Sequence, residues 1–290
     1  MTRTRGLLTA AAVPLILMAG CAQPGEAGSA ADPIAESAPV QDSTVLVRIS
    51  QEGGFVPAGY AYGRLPDVTV YADGRVISNG PVPAIAPGPA LPNLQMIKIT
   101  PERARKWADD AVAAGVKTGA DLGLPGVADI PDTVITATSA GKTQMVRVMA
   151  LHQALPNDPK LSAVQQSARK KLAAFADDLT AFAESGSPAP TAWQPASLAA
   201  LAQPYVAADD GLKQVAQDWP GPALPGAELS TGAGLHCLAV SGAEKDAVLA
   251  AAAKANLRTP WKSGGKQWQV TFRPLLPDET GGCAALKGAR

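Results

Sequence analysis

The sequence predicts an α+β fold in which antiparallel hairpins are covered by helices and are followed by a smaller C-terminal β-α-β piece. Alternating apolar residues interrupted by glycine turns predict the hairpins. Apolar residues spaced three and four apart predict the helices, and a strand–helix–strand order predicts the C-terminal piece. The stretch SGSPAPTA, at residues 185–192, indicates a boundary between folded segments at 44–185 and 193–290.

The first folded segment begins with a predicted strand at residues 44–49, which ends at the loop sequence GGFVP. A hairpin is predicted over residues 67–78, and its Asp-Gly pair at 73–74 predicts a type I′ turn. Residues 81–92 contain prolines that cannot donate to a strand ladder, so an extended loop is expected there. A further short strand is expected at 96–99.

Two helices and a second hairpin complete this segment. Thr100 and Pro101 predict a helix start, because a hydroxyl caps the first N–H groups and proline is favoured at the first helical position; this helix ends at Gly115. A hairpin is predicted over residues 133–150, and a longer helix starts near Asp158. The apolar face of the first helix consists of Ala104, Trp107, Ala108 and Ala111. That of the longer helix consists of Leu161, Val164, Ala168, Leu172, Phe175, Leu179 and Phe182.

The C-terminal segment is predicted to contain three strands and one helix. The strands are expected at residues 198–206, 235–240 and 267–272, and an alanine-rich helix is expected at 243–255. The middle strand, the helix and the last strand make the β-α-β piece.

The N-terminus has the features of an export signal. Two arginines precede an apolar run at residues 6–19, and small residues lead into Cys21. This pattern resembles the lipobox of bacterial lipoproteins, which implies that residues 1–20 are a signal peptide and that Cys21 carries diacylglycerol. An ordinary signal peptide or a short membrane anchor are the alternatives, although the run makes only about 21 Å of helix against a hydrocarbon core of roughly 30 Å.

The segment after the signal and the overall charge suggest a tethered protein. Residues 21–43 comprise the lipidated cysteine and a small, polar, proline-containing stretch that is expected to be a disordered tether. The chain has 25 basic and 25 acidic residues, so its formal charge is zero. No basic stripe indicates nucleic-acid binding, and lipid is the expected attachment to the extracytoplasmic face of the cell membrane.

The remaining cysteines, Cys237 and Cys283, are expected to form a disulfide in an oxidising compartment. A metal or redox site is the alternative, but the sequence has no C-x-x-C motif and only His152 and His236 as imidazole ligands. We therefore expect no metal and no cofactor. The Gly-Lys sequences at 139–143 and 263–266 lack the first glycine of a phosphate loop, and the first of them is predicted to be a hairpin turn.

Few residues are candidates for catalysis. His152 could serve as a general base, which makes an envelope hydrolase or transferase with a site near it the alternative function. The acidic pairs at 109–110 and 177–178 fall within predicted helices, where neighbouring side chains diverge, and the pair at 209–210 is expected to form a turn. No catalytic residue is assigned.

Aromatic residues are the most informative candidates for binding. Flat rings on loops can stack on sugars or seat a partner's side chain. The candidate binding surface consists of Phe55, Tyr60, Tyr62, Trp219 and Trp261. Packing in a core that has only 4% aromatic residues is the alternative for these rings.

Three segments carry a second resemblance. The sequences GGFVP at 53–57, YADGR at 71–75 and RPLLPDE at 273–279 resemble a pattern in uncharacterised secreted lipoproteins of actinobacteria. The resemblance implies an envelope location and no known activity. The expected function is non-catalytic binding of a protein, peptide or glycan partner, with the loops at 53–62 and 81–92 as contacts. A structural or inhibitory module is a further alternative.

Overall fold

The computed structural model describes residues 42–209, 211–230, 232 and 234–288. The described residues form one compact unit, which contains both helices and antiparallel strands, so the predicted α+β fold is confirmed. The predicted signal peptide, Cys21 and nearly all of the predicted tether lie outside the described residues. Among the helices that are described, none combines the length and the apolar character needed to cross a membrane.

The N-terminal sheet has seven strands, which pair in the order β6-β5-β1-β2-β3-β4-β7. All neighbouring pairs are antiparallel. The strands are β1 (Val45–Glu52), β2 (Val68–Tyr71), β3 (Arg75–Asn79), β4 (Leu94–Lys98), β5 (Asp132–Ser139), β6 (Lys142–Met149) and β7 (Thr191–Ala192). The last of these lies in the stretch interpreted as a boundary, so that stretch closes the edge of this sheet.

The C-terminal sheet has six strands, in the order β10-β11-β8-β13-β12-β9. Its strands are β8 (Ser197–Pro204), β9 (Gln217–Asp218), β10 (Ala227–Ser230), β11 (Leu235–Ser241), β12 (Pro260–Ser263) and β13 (Lys266–Leu275). Both β11 and β13 pair antiparallel with β8, so they are parallel to each other. The structure therefore contains the predicted β-α-β piece, with β8 lying between its two strands.

The described helices are α1 (Ala58–Gly63), α2 (Pro101–Ala114), α3 (Ala163–Glu184), α4 (Gly242–Ala252) and the 3₁₀ helix Gly282–Gly288. Helices α2 and α3 pack with β1, β2 and β5 around one apolar core. The Thr100 side chain accepts a hydrogen bond from the Arg103 N–H, and Gly115 ends α2 in the left-handed conformation. The predicted start, end and buried face of α2 are confirmed.

Helix α3 begins later than predicted. Ser162 is its N-cap, in a capping box with Gln165 that satisfies two free N–H groups. Asp158 instead accepts hydrogen bonds from the N–H groups of Gly126 and Lys160, so it fixes the preceding loop. The assignment of Val164 to the buried stripe was wrong, because its side chain is 79% exposed in the first turn.

The hairpin turns differ from one another. Between β2 and β3 only Gly74 has a positive φ, and its N–H donates to the Tyr71 carbonyl, so the predicted type I′ turn is wrong. The connection is one residue longer than a type I′ loop, which allows a type I turn followed by glycine. The first Gly-Lys sequence lies in a two-residue turn at 140–141, as predicted, and the second lies in another at 264–265.

The proline-rich loop at 81–92 contacts the C-terminal part of the chain. The Leu257 N–H donates to the Gly88 carbonyl and the Ala90 N–H donates to the Ala255 carbonyl. The loop contains several bends and one isolated bridge, between Pro89 and Asn256, and Val82 and Ile85 are exposed on it.

Candidate functional site

A cleft of about 710 Å³ opens where one end of the N-terminal sheet faces the C-terminal sheet. Because neighbouring strands are antiparallel, the end of β1, the start of β2 and the end of β3 lie next to one another at one end of the sheet. Those positions are Gln51, Asp67 and Asn79. The opposite wall contains Gln203 of β8 and Gln269 of β13. The volume is within the range typical of ligand sites.

Helix α1 forms one side of this cleft, where the sequence predicted only loop. Its two glycines allow it to lie close against the C-terminal sheet: a Cβ atom at Gly63 would be 2.9 Å from Thr271 Cγ2, and one at Gly59 would be 3.1 Å from Gln203 Oε1. The close packing fixes α1 and leaves Tyr60, which is 59% exposed, on the cleft wall.

Arg64 fixes the chain just after α1. Its guanidinium donates hydrogen bonds to the carbonyls of Gln51, at 3.2 Å, and Gly53, at 2.9 Å. The same group lies 5.2 Å from the centre of the Tyr60 ring, an attractive cation–π geometry. Arg64 therefore ties the end of β1, the following loop and the exposed ring into one wall.

Asp67 lies at the floor of the cleft and accepts a 2.9 Å hydrogen bond from Gln51 Nε2. Burial raises the pKa of Asp67 above its ordinary value, and the Gln51 hydrogen bond and the charges of Arg64 and His152 oppose that rise only in part. The floor of the cleft therefore holds a half-buried carboxyl group that takes up a proton more readily than an exposed one does.

We expect this raised pKa to make part of the folding stability depend on pH. The folded chain binds the Asp67 proton at a higher pH than the unfolded chain, so the carboxylate costs stability at neutral pH and that cost disappears as pH falls through the raised pKa. The free energy of unfolding of the wild type relative to Asp67→Asn should therefore increase between about pH 7 and about pH 4 in urea titrations. A difference that is the same at every pH would contradict the assignment. Asp110→Asn, on the exposed face of α2, is the control.

His152 lines a smaller cavity of about 290 Å³ that shares Gln51, Asp67 and Asn79 with the cleft. Its Nδ1 atom lies 3.7 Å from Asp177 Oδ1, which is an ion-pair distance when the ring is protonated and too long for a hydrogen bond. The structure therefore places His152 beside a carboxylate.

Hydroxyl groups also line this smaller cavity, from Ser78, Thr133 and Thr180. The Thr133 hydroxyl donates to Gln51 Oε1 at 3.3 Å. Within the described ranges, no hydrogen bond joins His152 to a hydroxyl, so the base–nucleophile contact of a hydrolase is not formed there.

The predicted aromatic surface is only partly at the surface. Phe55 is 92% exposed and Tyr60 lines the cleft. Tyr62, Trp219 and Trp261 are buried, so their assignment to a contact surface was wrong. The sequence could not separate the two groups, because burial depends on which sheet each ring meets.

Packing explains the buried rings. The Trp219 and Trp261 rings are 5.6 Å apart in a T-shaped arrangement, and Phe272 of β13 packs against both. Tyr62 packs in a second cluster with Leu201 and Leu235. Core packing, the alternative interpretation of the aromatic residues, is therefore correct for Tyr62, Trp219 and Trp261.

The acidic pairs take part in ordinary surface contacts. Asp109 accepts a hydrogen bond from the Ser139 hydroxyl, and Asp110 pairs with Lys106 at 2.8 Å. Asp210 lies outside the described residues. No cluster of three or more His, Cys, Asp or Glu side chains suited to a metal ion occurs in the part of the chain that the structure describes.

Two of the three segments that carried the second resemblance meet in an inter-sheet cluster, which consists of Arg48, Tyr71, Arg273, Asp278 and Glu279. Asp278 accepts two hydrogen bonds from Arg48, at 2.8 and 2.9 Å, and one from the Tyr71 hydroxyl at 2.8 Å. Glu279 accepts two from Arg273, at 2.7 and 2.9 Å. The RPLLPDE sequence therefore joins the C-terminal sheet to β1 and β2.

This cluster also supports the cleft. Arg273 donates a 3.0 Å hydrogen bond to the Arg64 carbonyl, and Leu276 packs on Tyr71 and Ile77. Burial and the neighbouring Asp278 charge raise the pKa of the Tyr71 hydroxyl, so it stays a hydrogen-bond donor. The RPLLPDE sequence therefore has a structural role, because its contacts connect the two sheets beside the cleft.

The polar lining of the cleft was missed by the sequence analysis. Asp67 begins a predicted hairpin, Asn79 directly follows it, and Gln51 lies two residues after a predicted strand; these positions are the signal that could have found them. The chain matches no protein family model, no curated protein and no solved structure.

Proposed function

We propose that this protein is a cell-envelope lipoprotein whose folded part binds a polar partner non-catalytically in the cleft beside α1. The observation that carries the proposal is the lining of the cleft, which combines carboxamide side chains from four strands with an exposed tyrosine ring. Carboxamides both donate and accept hydrogen bonds and do not titrate, so they suit recognition rather than proton transfer.

The N-terminal sequence supports the location. Cys21 follows an apolar export signal, and diacylglycerol on this residue would hold the chain at the outer face of the membrane. The stretch after Cys21 has the composition of a flexible tether, with a root-mean-square reach of roughly 26 Å. A tether of that reach lets a binding domain contact envelope material close to the membrane.

Binding to isolated envelope material tests the proposal. The full chain, extracted from membranes in detergent, should co-sediment with a cell-envelope fraction, and Tyr60→Ala combined with Gln269→Ala should reduce the bound fraction about tenfold. Phe55→Ala removes a more exposed ring that does not line the cleft, and it should bind like the wild type. Equal binding by wild type and double variant would contradict the proposal.

The intact mass of the same membrane extract tests the anchor. A mass that corresponds to a diacylglycerol-modified chain beginning at Cys21 is expected, and Cys21→Ala should release the protein from the membrane fraction. A mature chain without lipid would contradict the anchoring part of the proposal.

A further inference from the structure

We infer that the cleft binds an uncharged oligosaccharide, with the Tyr60 ring stacked on a sugar ring and carboxamides hydrogen-bonded to its polar groups. The inference rests on the proposed binding function and names the chemical class of the ligand.

The ring is presented for stacking. Tyr60 is 59% exposed, and the Arg64 guanidinium lies 5.2 Å from the ring centre on one side. Arg64 is itself held by two backbone carbonyls, so the cation is kept beside the ring, and the exposure of Tyr60 leaves much of it accessible to a ligand. An exposed aromatic ring suits the apolar face of a pyranose ring, because both surfaces are flat.

The hydrogen-bonding groups suit hydroxyls and acetamides. Gln203 and Gln269 are direct partners in the β8–β13 pairing, and Asn79 lines the cleft from the N-terminal sheet, so carboxamides line the cleft from both sheets. A carboxamide has two N–H donors and one carbonyl acceptor, and Asn79 Nδ2 donates one hydrogen bond, at 3.1 Å, to the Pro66 carbonyl. A sugar chain presents donors and acceptors along its whole length, which matches carboxamides on two walls of one cleft.

The charges in the cleft disfavour a charged ligand. Arg64 and Asp67 are the charged side chains among its described lining residues. Arg64 donates to the carbonyls of Gln51 and Gly53, and Asp67 accepts from Gln51 Nε2. Both groups therefore already have hydrogen-bond partners in the protein. Their charges are opposite, so the described lining has no excess charge that would attract a charged ligand.

The strands around the cleft disfavour a peptide that binds as an added strand. Gln51, Asp67, Asn79, Gln203 and Gln269 all lie on or beside strands that have neighbours on both sides. Their backbone groups are used in the two sheets, so an extended peptide finds no free strand edge there. Recognition in the cleft therefore depends on side chains.

Calorimetric titration of the full chain with defined tetramers tests the inference. The probes are cellotetraose, mannotetraose and N-acetylated chitotetraose, with tetra-alanine as the peptide. At least one saccharide should bind saturably, and Tyr60→Ala should weaken it about tenfold, which corresponds to about 1.4 kcal/mol. Tyr60→Phe keeps the ring and should bind within about threefold of the wild type, as should Phe55→Ala.

Each other outcome has a separate meaning. If none of the saccharides binds, or if Tyr60→Ala leaves their affinity unchanged, the oligosaccharide inference is wrong. If tetra-alanine alone binds and Tyr60→Ala weakens it, the cleft is a peptide site; the inference fails while the proposed function stands. If envelope material also binds equally to wild type and to the cleft variant, both fail.

Discussion

Replacing Arg273 with methionine is expected to lower the free energy of unfolding by about 3–5 kcal/mol, because removing one partner of a buried ion pair leaves the other charge unpaired. The Arg273 side chain is 3% exposed and that of Glu279 is 13% exposed. Glu279 would retain only the hydrogen bond from the Leu276 N–H. The Arg64 carbonyl would also lose its donor. Urea denaturation followed by tryptophan fluorescence measures the change.

Two further variants separate this effect from a general loss of charge. Lys106→Met removes an exposed ion pair with Asp110 and should cost less than about 1 kcal/mol. Combining Arg273→Met with Glu279→Leu removes both buried charges, so the double variant should be more stable than the sum of the single changes predicts. A cost below about 1 kcal/mol for Arg273→Met would show that the inter-sheet cluster does not hold the sheets together.

Removing the disulfide should have an effect of similar size. The Cys237 and Cys283 sulfur atoms lie at bonding distance and close a loop with a sequence separation of 46 residues. On the chain-entropy model, a crosslink of that length stabilises the fold by about 4 kcal/mol. Cys237→Ala combined with Cys283→Ala should therefore lower the free energy of unfolding by about that amount in urea titrations.

The reduced wild type is the internal comparison for the disulfide. It should unfold at nearly the same urea concentration as the double variant, since both lack the crosslink and differ only in two thiols, one buried and one partly buried. If the oxidised wild type and the double variant unfold at the same urea concentration, the two cysteines do not crosslink the 3₁₀ helix to β11.

Local sequence signals predicted those elements that are long or capped. The alternation at 133–150 and the turn at 140–141 predicted the β5–β6 hairpin, and Thr100 with Gly115 predicted the limits of α2. These signals act within a few residues, so the sequence contains them directly. The cysteine pairing was predicted by a different kind of signal. The chain has two cysteines besides Cys21, and the N-terminal sequence favours an oxidising compartment in which they would pair.

The elements that were missed are short and depend on distant contacts. Helix α1 has only six residues and contains two glycines, which disfavour a helix in isolation. It forms because those glycines let it lie against Gln203 and Thr271, which are far along the chain. Strands β7 and β9 have two residues each, and their pairing partners define them.

The candidate site was missed for the same reason. Gln51, Asp67 and Asn79 were each visible as polar residues at strand ends, but the cleft exists only where that end of the sheet faces Gln203 and Gln269. No pattern of neighbouring residues in the sequence indicates that these two sheets face each other. The RPLLPDE sequence was noticed as a loop motif, and its role became clear only from its contacts with Arg48 and Tyr71.

A titration of the ¹⁵N-labelled full chain with the neutral saccharide that binds tightest tests the central claim most directly. The side-chain amide signals of Asn79, Gln203 and Gln269 should shift and saturate together, while that of Gln166, which bonds to backbone carbonyls beside α3, should stay unchanged. Unshifted cleft signals at saturation, or equal shifts at Gln166, would contradict binding in the cleft.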